Sequence, residues 1–257
     1  MPLPDQGENV TMIRHEPFYL SAMIKKPRRG LFVTGTNTEV GKTYVAALIV
    51  KSLAEAGHRV GVYKPVASDC MLMGTQLIAE DALALWEAAG QPLDLDAVCP
   101  QRFRATIAPH LAARSEGKNV NADLLRSGIE VWEDQCDIVV VEGAGGLLSP
   151  LGDDEFVADL AIDFGYPLIV VTPNMLGTIN QTLQTLVAAS CFRDGLDVAG
   201  IVLNEPQSLL DDPSVDSNPD QIAARAVPPL LCRVGYEAES FPEEIDWFAL
   251  ADKFANK

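Results

Sequence analysis

Residues 35–43 combine the residue types that bind phosphate and a metal ion. They read GTNTEVGKT, which fits the pattern of glycine, four residues, then glycine, lysine and threonine. An apolar run precedes them and a helical period follows, so backbone NH groups and a helix N-terminus should converge on one phosphate. We expect Gly41 to let the backbone approach, Lys42 to contact the terminal phosphates and Thr43 to bind magnesium. A strand-to-helix turn with an incidental lysine is the alternative.

A single carboxylate ends the most apolar run of the chain. Residues 137–146 read DIVVVEGAGG. A strand that is buried on both faces ends there, and Glu142 should emerge at the carboxyl edge of the sheet, where ligands bind in open α/β folds. Glu142 could then reach magnesium directly or through water, and the glycines behind it would let a substrate or phosphate approach the backbone. The alternative is an exposed acid before a flexible turn.

Two further charged residues follow a predicted strand and open a predicted helix. Residues 63–68 read YKPVAS, so Lys64 falls at the same edge and could neutralise an anion that is being phosphorylated. Taken alone, such a lysine is usually solvated. Asp81 opens the next helix, where the helix dipole favours a carboxylate in any case, so the residue pattern alone favours a capping role for it.

The elements that must position these residues alternate between strand and helix. Apolar runs predict strands at 31–34, 59–63, 137–141, 167–172 and 198–203, and helical periods predict helices that include one ending at Gly57 and others at 81–89, 121–133 and 177–192. In the last helix Ile179, Leu183, Leu186 and Val187 should face the sheet or a partner. This alternation predicts an α/β fold with a parallel sheet.

Composition narrows the function classes. The chain has 257 residues, a formal net charge of −17 and five widely spaced cysteines. The charge argues against nucleic-acid binding, no apolar run is long enough to cross a membrane, and the cysteines predict reduced thiols in the cytoplasm. We expect residues 1–28 to be a flexible extension and residues 29–257 to be one domain.

Six sequence blocks occur in the order and approximate spacing of the dethiobiotin synthetases. They are GTNTEVGKT, KPVAS, DALAL from Asp81, APH ending at His110, VEGAGG and LGTIN ending at Asn180. The chain therefore resembles this family over residues 31–204. The resemblance implies a three-layer P-loop NTPase fold with a seven-stranded, mostly parallel sheet, and a homodimer. It also implies MgATP-dependent conversion of 7,8-diaminononanoate and CO2 to dethiobiotin in biotin biosynthesis, through a carbamate that ATP phosphorylates.

The resemblance also implies residue roles. Lys42 and Lys64 would be catalytic, and Lys64 and Ser68 would hold the carbamate. Thr43, Asp81 and Glu142 would bind Mg²⁺ and ATP, and Asn204 would contact the adenine edge, which suits its paired donor and acceptor. Gly177 and Asn180 would meet the substrate tail across the dimer interface. The other ATP contacts would be Thr38, Glu39, Val40, Gly41, Tyr44, Gly143, Ala144, Gly145, Gly235, Tyr236 and Glu237.

The sequence departs from the family pattern at Asn37, at Asp69 and in the loop after residues 230–234, where a proline is usual. The last departure leaves ATP, CTP and GTP open as the preferred nucleotide. The main alternative function is a regulatory P-loop ATPase of the partition and division-site group. Such proteins usually carry an additional lysine early in the P-loop, which residues 35–38 lack, and their basic or amphipathic C-terminal contact differs from the acidic C-terminus here. A cobyrinate synthetase would need a glutaminase domain, and a degenerate scaffold would not keep Lys42, Thr43 and Glu142.

Overall fold

The computed structural model describes residues 24–208 and 212–255. The strands are β1 (Gly30–Gly35), β2 (Val60–Tyr63), β3 (Val66–Ala67), β4 (Met71–Met73), β5 (Gln76–Ile78), β6 (Gln101–Arg102), β7 (Ile138–Gly146), β8 (Leu168–Pro173), β9 (Val198–Asn204) and β10 (Leu230–Val234). The helices are α1 (Lys42–Glu55), α2 (Glu80–Ala88), α3 (Leu95–Val98), α4 (Pro109–Ser115), α5 (Ala122–Ser127), α6 (Val157–Phe164), α7 (Thr178–Cys191), α8 (Asn218–Ala223) and α9 (Trp247–Asp252).

The central sheet has six strands in the order β10-β9-β8-β1-β7-β2, and every neighbouring pair is parallel. This confirms the predicted P-loop α/β class. The family resemblance implied seven strands in this sheet, whereas the described residues form six. The sheet's chain order reverses beside β1, so the loop after β1 opens at the carboxyl edge between β7 and β8, the position where such sheets bind ligands.

Apolar strands covered by helices on both faces form the core. Residues 31–33 of β1, 138–141 of β7 and 168–171 of β8 are fully buried. Helix α1 packs against β1, β2 and β7, while α6 packs against β7 and α7 against β8. Strands that are buried on both faces read as continuous apolar runs, which is why the sequence located them to within a few residues.

The helix predicted at residues 121–133 needs correction. The predicted helix at 121–133 is α5 followed by a 3₁₀ turn at Gly128–Trp132. A Cβ at Gly128 would lie 2.3 Å from the Tyr63 hydroxyl, which donates to the carbonyls of Leu124 and Leu125 at 3.1 and 3.0 Å. The glycine that permits this approach also weakens the helix. By contrast, Gly57 follows α1 with φ of +90°, as predicted.

The buried face of α7 differs from the predicted one. Thr178, Thr182, Thr185 and Ala189 are its buried residues. Of the apolar stripe that was expected on the sheet or a partner, Ile179 and Leu186 do pack against β9 of the sheet and against α8, whereas Val187 is 61% exposed. The sheet side of α7 is thus built largely from threonines.

Other predictions concern the chain ends and the cysteines. Residues 1–23 of the predicted extension lie outside the described residues, whereas the Pro27 carbonyl accepts a hydrogen bond from Tyr166 at 2.6 Å. All five cysteines are free thiols, and burial raises the pKa of Cys99 to about 12. Across the described ranges, every helix falls short of the length and apolar character that crossing a bilayer requires.

Candidate active site

The P-loop connects β1 to α1 and is held by hydrogen bonds to β8 and within the loop. The Thr36 NH donates to the Val171 carbonyl at 3.0 Å, which ties the loop to β8. Lys42 is buried, and its Nζ donates to the Asn37 carbonyl at 3.1 Å. Burial lowers the pKa of Lys42. Thr38 and Glu39 lie exposed on the outer turn and Val40 is buried beneath it. The Lys42 side chain is therefore folded back onto the loop, and Thr38 and Glu39 form its exposed outer turn.

Gly41 is required where the loop enters α1. Its φ is +86°, and a Cβ there would lie 2.1 Å from Asn204 Nδ2. Asn204 ends β9, is 1% exposed, and donates from Nδ2 to the Val40 carbonyl at 3.0 Å, while its Oδ1 has no hydrogen-bond partner. Buried amide oxygens are normally paired, so this free acceptor beside the loop is available to a ligand.

Lys64, Asp81, Glu142 and Thr43 form one cluster at the carboxyl edge. Lys64 Nζ lies 2.7 Å from Asp81 Oδ2 and 2.6 Å from Glu142 Oε1. The Thr43 hydroxyl lies 2.8 Å from Asp81 Oδ1 and 2.9 Å from Glu142 Oε1. Four elements of the chain thus bring the predicted catalytic lysine and the three predicted metal ligands into direct contact. The sequence placed these residues at one edge but did not foresee that Lys64 pairs with both carboxylates.

Burial and ion pairing set the charges in this cluster. Lys64 is 3% exposed and Glu142 is fully buried. Burial alone would lower the pKa of Lys64, but the two carboxylates outweigh it and raise that pKa above its ordinary value. Burial raises the pKa of Glu142, which Lys64 only partly offsets. Burial would raise the pKa of Asp81 too, but Lys64 and the Thr43 hydroxyl lower it. Because Lys64 is shared, its positive charge helps to lower the pKa of the half-exposed Asp81 below the ordinary value, but it does not return the pKa of the buried Glu142 to the ordinary value.

The donor atoms of this cluster fit Mg²⁺. Glu142 Oε2 is buried without a hydrogen-bond partner, and the cluster offers two carboxylates and a hydroxyl. Hard cations such as Mg²⁺ prefer oxygen ligands and are commonly held by one or two carboxylates together with substrate phosphates. The described ranges contain no gathering of three or more His, Cys, Asp or Glu side chains suited to a metal. A magnesium ion shared with nucleotide phosphates is therefore the kind of metal site that these residues suit.

The remaining predicted nucleotide contacts flank the P-loop. Gly143 and Ala144 continue β7, and Gly145 has φ of +77° and lies against Ser149, whose Oγ accepts from the Gly146 NH at 2.8 Å. On the other side, Gly235 and Tyr236 follow β10, and Glu237 has φ of +54°. The exposed Tyr44 hydroxyl donates to the Ala238 carbonyl, which holds this C-terminal loop against α1.

The predicted substrate residues are less tightly organised than the ion cluster. Ser68 is half-buried and precedes Asp69, whose φ is +61°. Gly177 has φ of +96° with open space around it, and Asn180 lies exposed in the first turn of α7. Sequence reasoning missed Thr172, whose hydroxyl contacts Thr36 of the P-loop. The only sequence signal for it was the run of threonines on one face of α7.

Comparisons with known proteins show the family of the chain. A family model described as an AAA domain matches residues 29–244. The ATP-dependent dethiobiotin synthetase of Rhodopirellula baltica is 42% identical over 79% of this chain and 82% of that protein. The ATP-dependent dethiobiotin synthetase of Anaeromyxobacter dehalogenans strain 2CP-C is 44% identical over 76% of this chain and 84% of that protein.

Solved structures resemble the chain in fold. The signal recognition particle receptor FtsY from Elizabethkingia anophelis superposes with a TM-score of 0.52 at 14% identity, covering 92% of this chain and 69% of that one. A ParA family ATPase from Chlorobium tepidum gives a TM-score of 0.50 at 14% identity, covering 83% and 85%. At such identities the likeness shows only the fold that these proteins share with the chain.

Proposed function

The chain belongs to the family of ATP-dependent dethiobiotin synthetases, ligases of biotin biosynthesis, and from that membership we propose the chemistry of its site. The substrate is 7,8-diaminononanoate. One amine takes up CO2 as a carbamate, ATP phosphorylates the carbamate, and the second amine attacks the activated carbon to close the ureido ring with release of phosphate. ATP serves as co-substrate and Mg²⁺ as cofactor.

The observation that supports this chemistry best is the position of Lys64. Its ammonium lies 2.6 Å from Glu142 Oε1, which also contacts the P-loop hydroxyl of Thr43. A carbamate and a triphosphate are both anionic, so they can approach only where cations lie between them. Lys42 serves the triphosphate side and Lys64 the carbamate side, with Ser68 as a further donor to the carbamate.

Thr43, Asp81 and Glu142 would hold Mg²⁺, which supplies positive charge at the phosphates. Asp81 and Glu142 would hold the metal ion in place of their present contacts with Lys64, which would leave the Lys64 ammonium for the carbamate. The Nδ2 atom of Asn204 already donates to the Val40 carbonyl, so the side chain would contact the base through its unpaired Oδ1. Gly177 and Asn180 orient the tail of the diamine.

We further propose a homodimer in the cytoplasm, with residues 29–257 as the synthetase domain and no nucleic-acid or membrane partner. The net charge of −17 supports the absence of a nucleic-acid partner.

An assay of ADP release tests the proposed chemistry. Purified protein should release ADP only when MgATP, the diamine and bicarbonate are all present, and it should form one dethiobiotin for each ADP. A regulatory ATPase would turn over without the diamine. Equal ADP release with and without the diamine would refute the synthetase chemistry.

A further inference from the structure

Two side chains of α1 hold the C-terminal loop, residues 235–239. The Tyr44 hydroxyl donates to the Ala238 carbonyl, and Lys51 Nζ donates to the Glu239 carbonyl at 3.2 Å. Both acceptors are backbone atoms, so these contacts fix the position of the loop itself. Tyr44 directly follows the GKT residues of the P-loop. The C-terminal loop is therefore held at the phosphate-binding end of the helix.

The C-terminal loop begins beside the unpaired oxygen of Asn204. Val234 pairs with Asn204 in the sheet, and the Glu205 NH donates to the Val234 carbonyl at 2.9 Å, so Gly235 leaves β10 where β9 ends. A Cβ at Gly235 would meet nothing within 4 Å beyond its chain neighbours. Asn204 Oδ1 is buried without a hydrogen-bond partner, and buried acceptors are normally paired. This end of the loop therefore offers both space and an acceptor to a ligand.

Three contacts join the P-loop, the end of β9 and the C-terminal loop to one another. Asn204 Nδ2 donates to the Val40 carbonyl of the P-loop at 3.0 Å. Asn204 is also paired with Val234, from which the C-terminal loop starts, and Tyr44 connects that loop back to α1. The first two contacts are buried, whereas Tyr44 is 36% exposed. A substitution of Tyr44 can therefore change this arrangement without disturbing the core.

We infer that Tyr44 is a positioning residue for the nucleotide, because its bond to the Ala238 carbonyl fixes the C-terminal loop relative to the P-loop. The P-loop takes the phosphates, and the C-terminal loop borders the base beside Asn204. Both loops belong to one chain and serve the same ATP. The inference rests on the proposed function, in which ATP is the co-substrate and Asn204 contacts its base.

The physical reason is preorganisation of the loop. A loop that is already held in its binding position loses less conformational freedom when the ligand binds, and this saving appears as affinity. The span between the phosphates and the base of one nucleotide is limited by its covalent bonds, so the two loops must lie at a matching separation. Tyr44 sets that separation through the backbone of the loop. Its hydroxyl therefore matters for a ligand that carries a base and not for the phosphates alone.

A comparison of two ligands tests whether Tyr44 acts through the base. Tyr44→Phe keeps the aromatic ring and removes the hydroxyl. The Kd for ATP should rise about fivefold, on the scale of one lost hydrogen bond, whereas the Kd for inorganic tripolyphosphate, which has no base, should stay within about twofold. Calorimetric titration in the presence of Mg²⁺ measures both constants. In steady-state assays the KM for ATP should rise with kcat unchanged, because ground state and transition state lose the same contact.

Tyr166→Phe is the matched control. The Tyr166 hydroxyl also donates to a backbone carbonyl, that of Pro27 at 2.6 Å, but Tyr166 precedes β8 and so lies at the opposite edge of the sheet. Both Kd values of this variant should stay within about twofold of the unsubstituted protein, at a temperature where circular dichroism shows it folded.

Three results would overturn the inference: an unchanged Kd for ATP in Tyr44→Phe, an equal weakening of ATP and tripolyphosphate in that variant, or a selective loss of ATP affinity of the same size in Tyr166→Phe. The titrations need no diamine, so they decide the inference by themselves. Absence of diamine-dependent ADP release in the unsubstituted protein would instead count against the proposed function.

Discussion

Two ion clusters in this molecule each hold one cation between two carboxylates, but among the described residues only the site cluster includes a fully buried carboxylate oxygen without a hydrogen-bond partner. In the site cluster, Lys64 bonds Asp81 and Glu142, and Glu142 Oε2 has no partner. In the second cluster, Arg126 of α5 bonds Asp163 of α6 at 2.7 Å and Glu155 at 2.5 Å. A further Arg126 nitrogen donates to the Ala122 carbonyl at 2.9 Å.

The difference separates a binding site from a structural contact. Arg126, Glu155 and Asp163 are mostly buried, and burial raises the pKa of both carboxyl groups, which Arg126 only partly offsets. In the site cluster Lys64 and Glu142 are buried more deeply and Asp81 is half-exposed, and one oxygen of Glu142 stays unpaired at the edge of the sheet. A buried polar atom without a partner costs free energy, and such atoms concentrate where a ligand completes them. We therefore expect substitutions in the first cluster to change activity and those in the second to change stability.

The largest expected effect is on turnover. Lys64→Ala should lower kcat by about 10²- to 10³-fold, on the scale of roughly 2.7–4 kcal/mol for one donor to a transition state, with nearly unchanged nucleotide affinity. Steady-state kinetics and calorimetric nucleotide titration measure the two quantities. Lys118→Ala, which removes an exposed lysine paired with Glu116, is the control. A large loss of nucleotide affinity with normal kcat would contradict the role assigned to Lys64.

Arg126→Met should affect stability instead. Removing the guanidinium leaves Glu155 and Asp163 as unpaired, mostly buried carboxylates, and breaking such a pair costs about 3 kcal/mol of unfolding free energy. Urea denaturation would show this loss, with kcat/KM within about twofold of the unsubstituted value. Arg114→Met breaks an exposed pair with Asp153 and should leave the urea midpoint nearly unchanged. Loss of activity in Arg126→Met at full stability would erase the distinction between the clusters.

Glu142→Gln tests the unpaired oxygen. The amide keeps the size of the side chain but removes the charge that Mg²⁺ would bind, so the Mg²⁺ concentration for half-maximal activity should rise at least about tenfold. A magnesium titration of ADP release measures this shift. Glu155→Gln makes the same change in the second cluster and should leave the titration unchanged. Equal magnesium requirements in the two variants would remove Glu142 from the metal site.

The smallest expected effect is a change in the pH dependence of stability. Burial raises the pKa of Asp163, which Arg126 only partly offsets. For an acid whose pKa is raised by folding, the stabilising contribution is complete below the unfolded value near pH 4 and is lost as pH rises through the folded value. Asp163→Asn cannot lose a proton, so its melting temperature should gain relative to the unsubstituted protein between about pH 4 and pH 7. A constant difference across that range would contradict the raised pKa.

Much of the fold and of the site could be predicted from local pattern. The strands that carry residues 31–34 and 137–141 were located because they are covered on both faces and so are uniformly apolar. Lys42, Lys64 and Glu142 could be assigned to one edge because each directly follows such a strand or its loop. The catalytic and binding roles of these residues stay predictions, and the variants of Lys64 and Glu142 described above test two of them.

Other features could not be predicted because their cause lies far away in sequence. The break in the helix predicted at 121–133 depends on the Tyr63 hydroxyl beside Gly128. The buried face of α7 includes Thr182, which contacts Thr172 of β8. The helical period of the apolar residues had instead predicted that the stripe including Val187 would be buried. Local hydrophobicity carried no information on these hydrogen-bond partners.

The sequence by itself determined which residues lie at the carboxyl edge, since strand direction and the position of each residue along its strand are local properties. Only the tertiary structure decided which of them touch. Contacts between Lys64 and Glu142, or between Thr36 and Thr172, depend on the order of strands in the sheet. That order is fixed by the packing of the whole core, to which each segment contributes only a part.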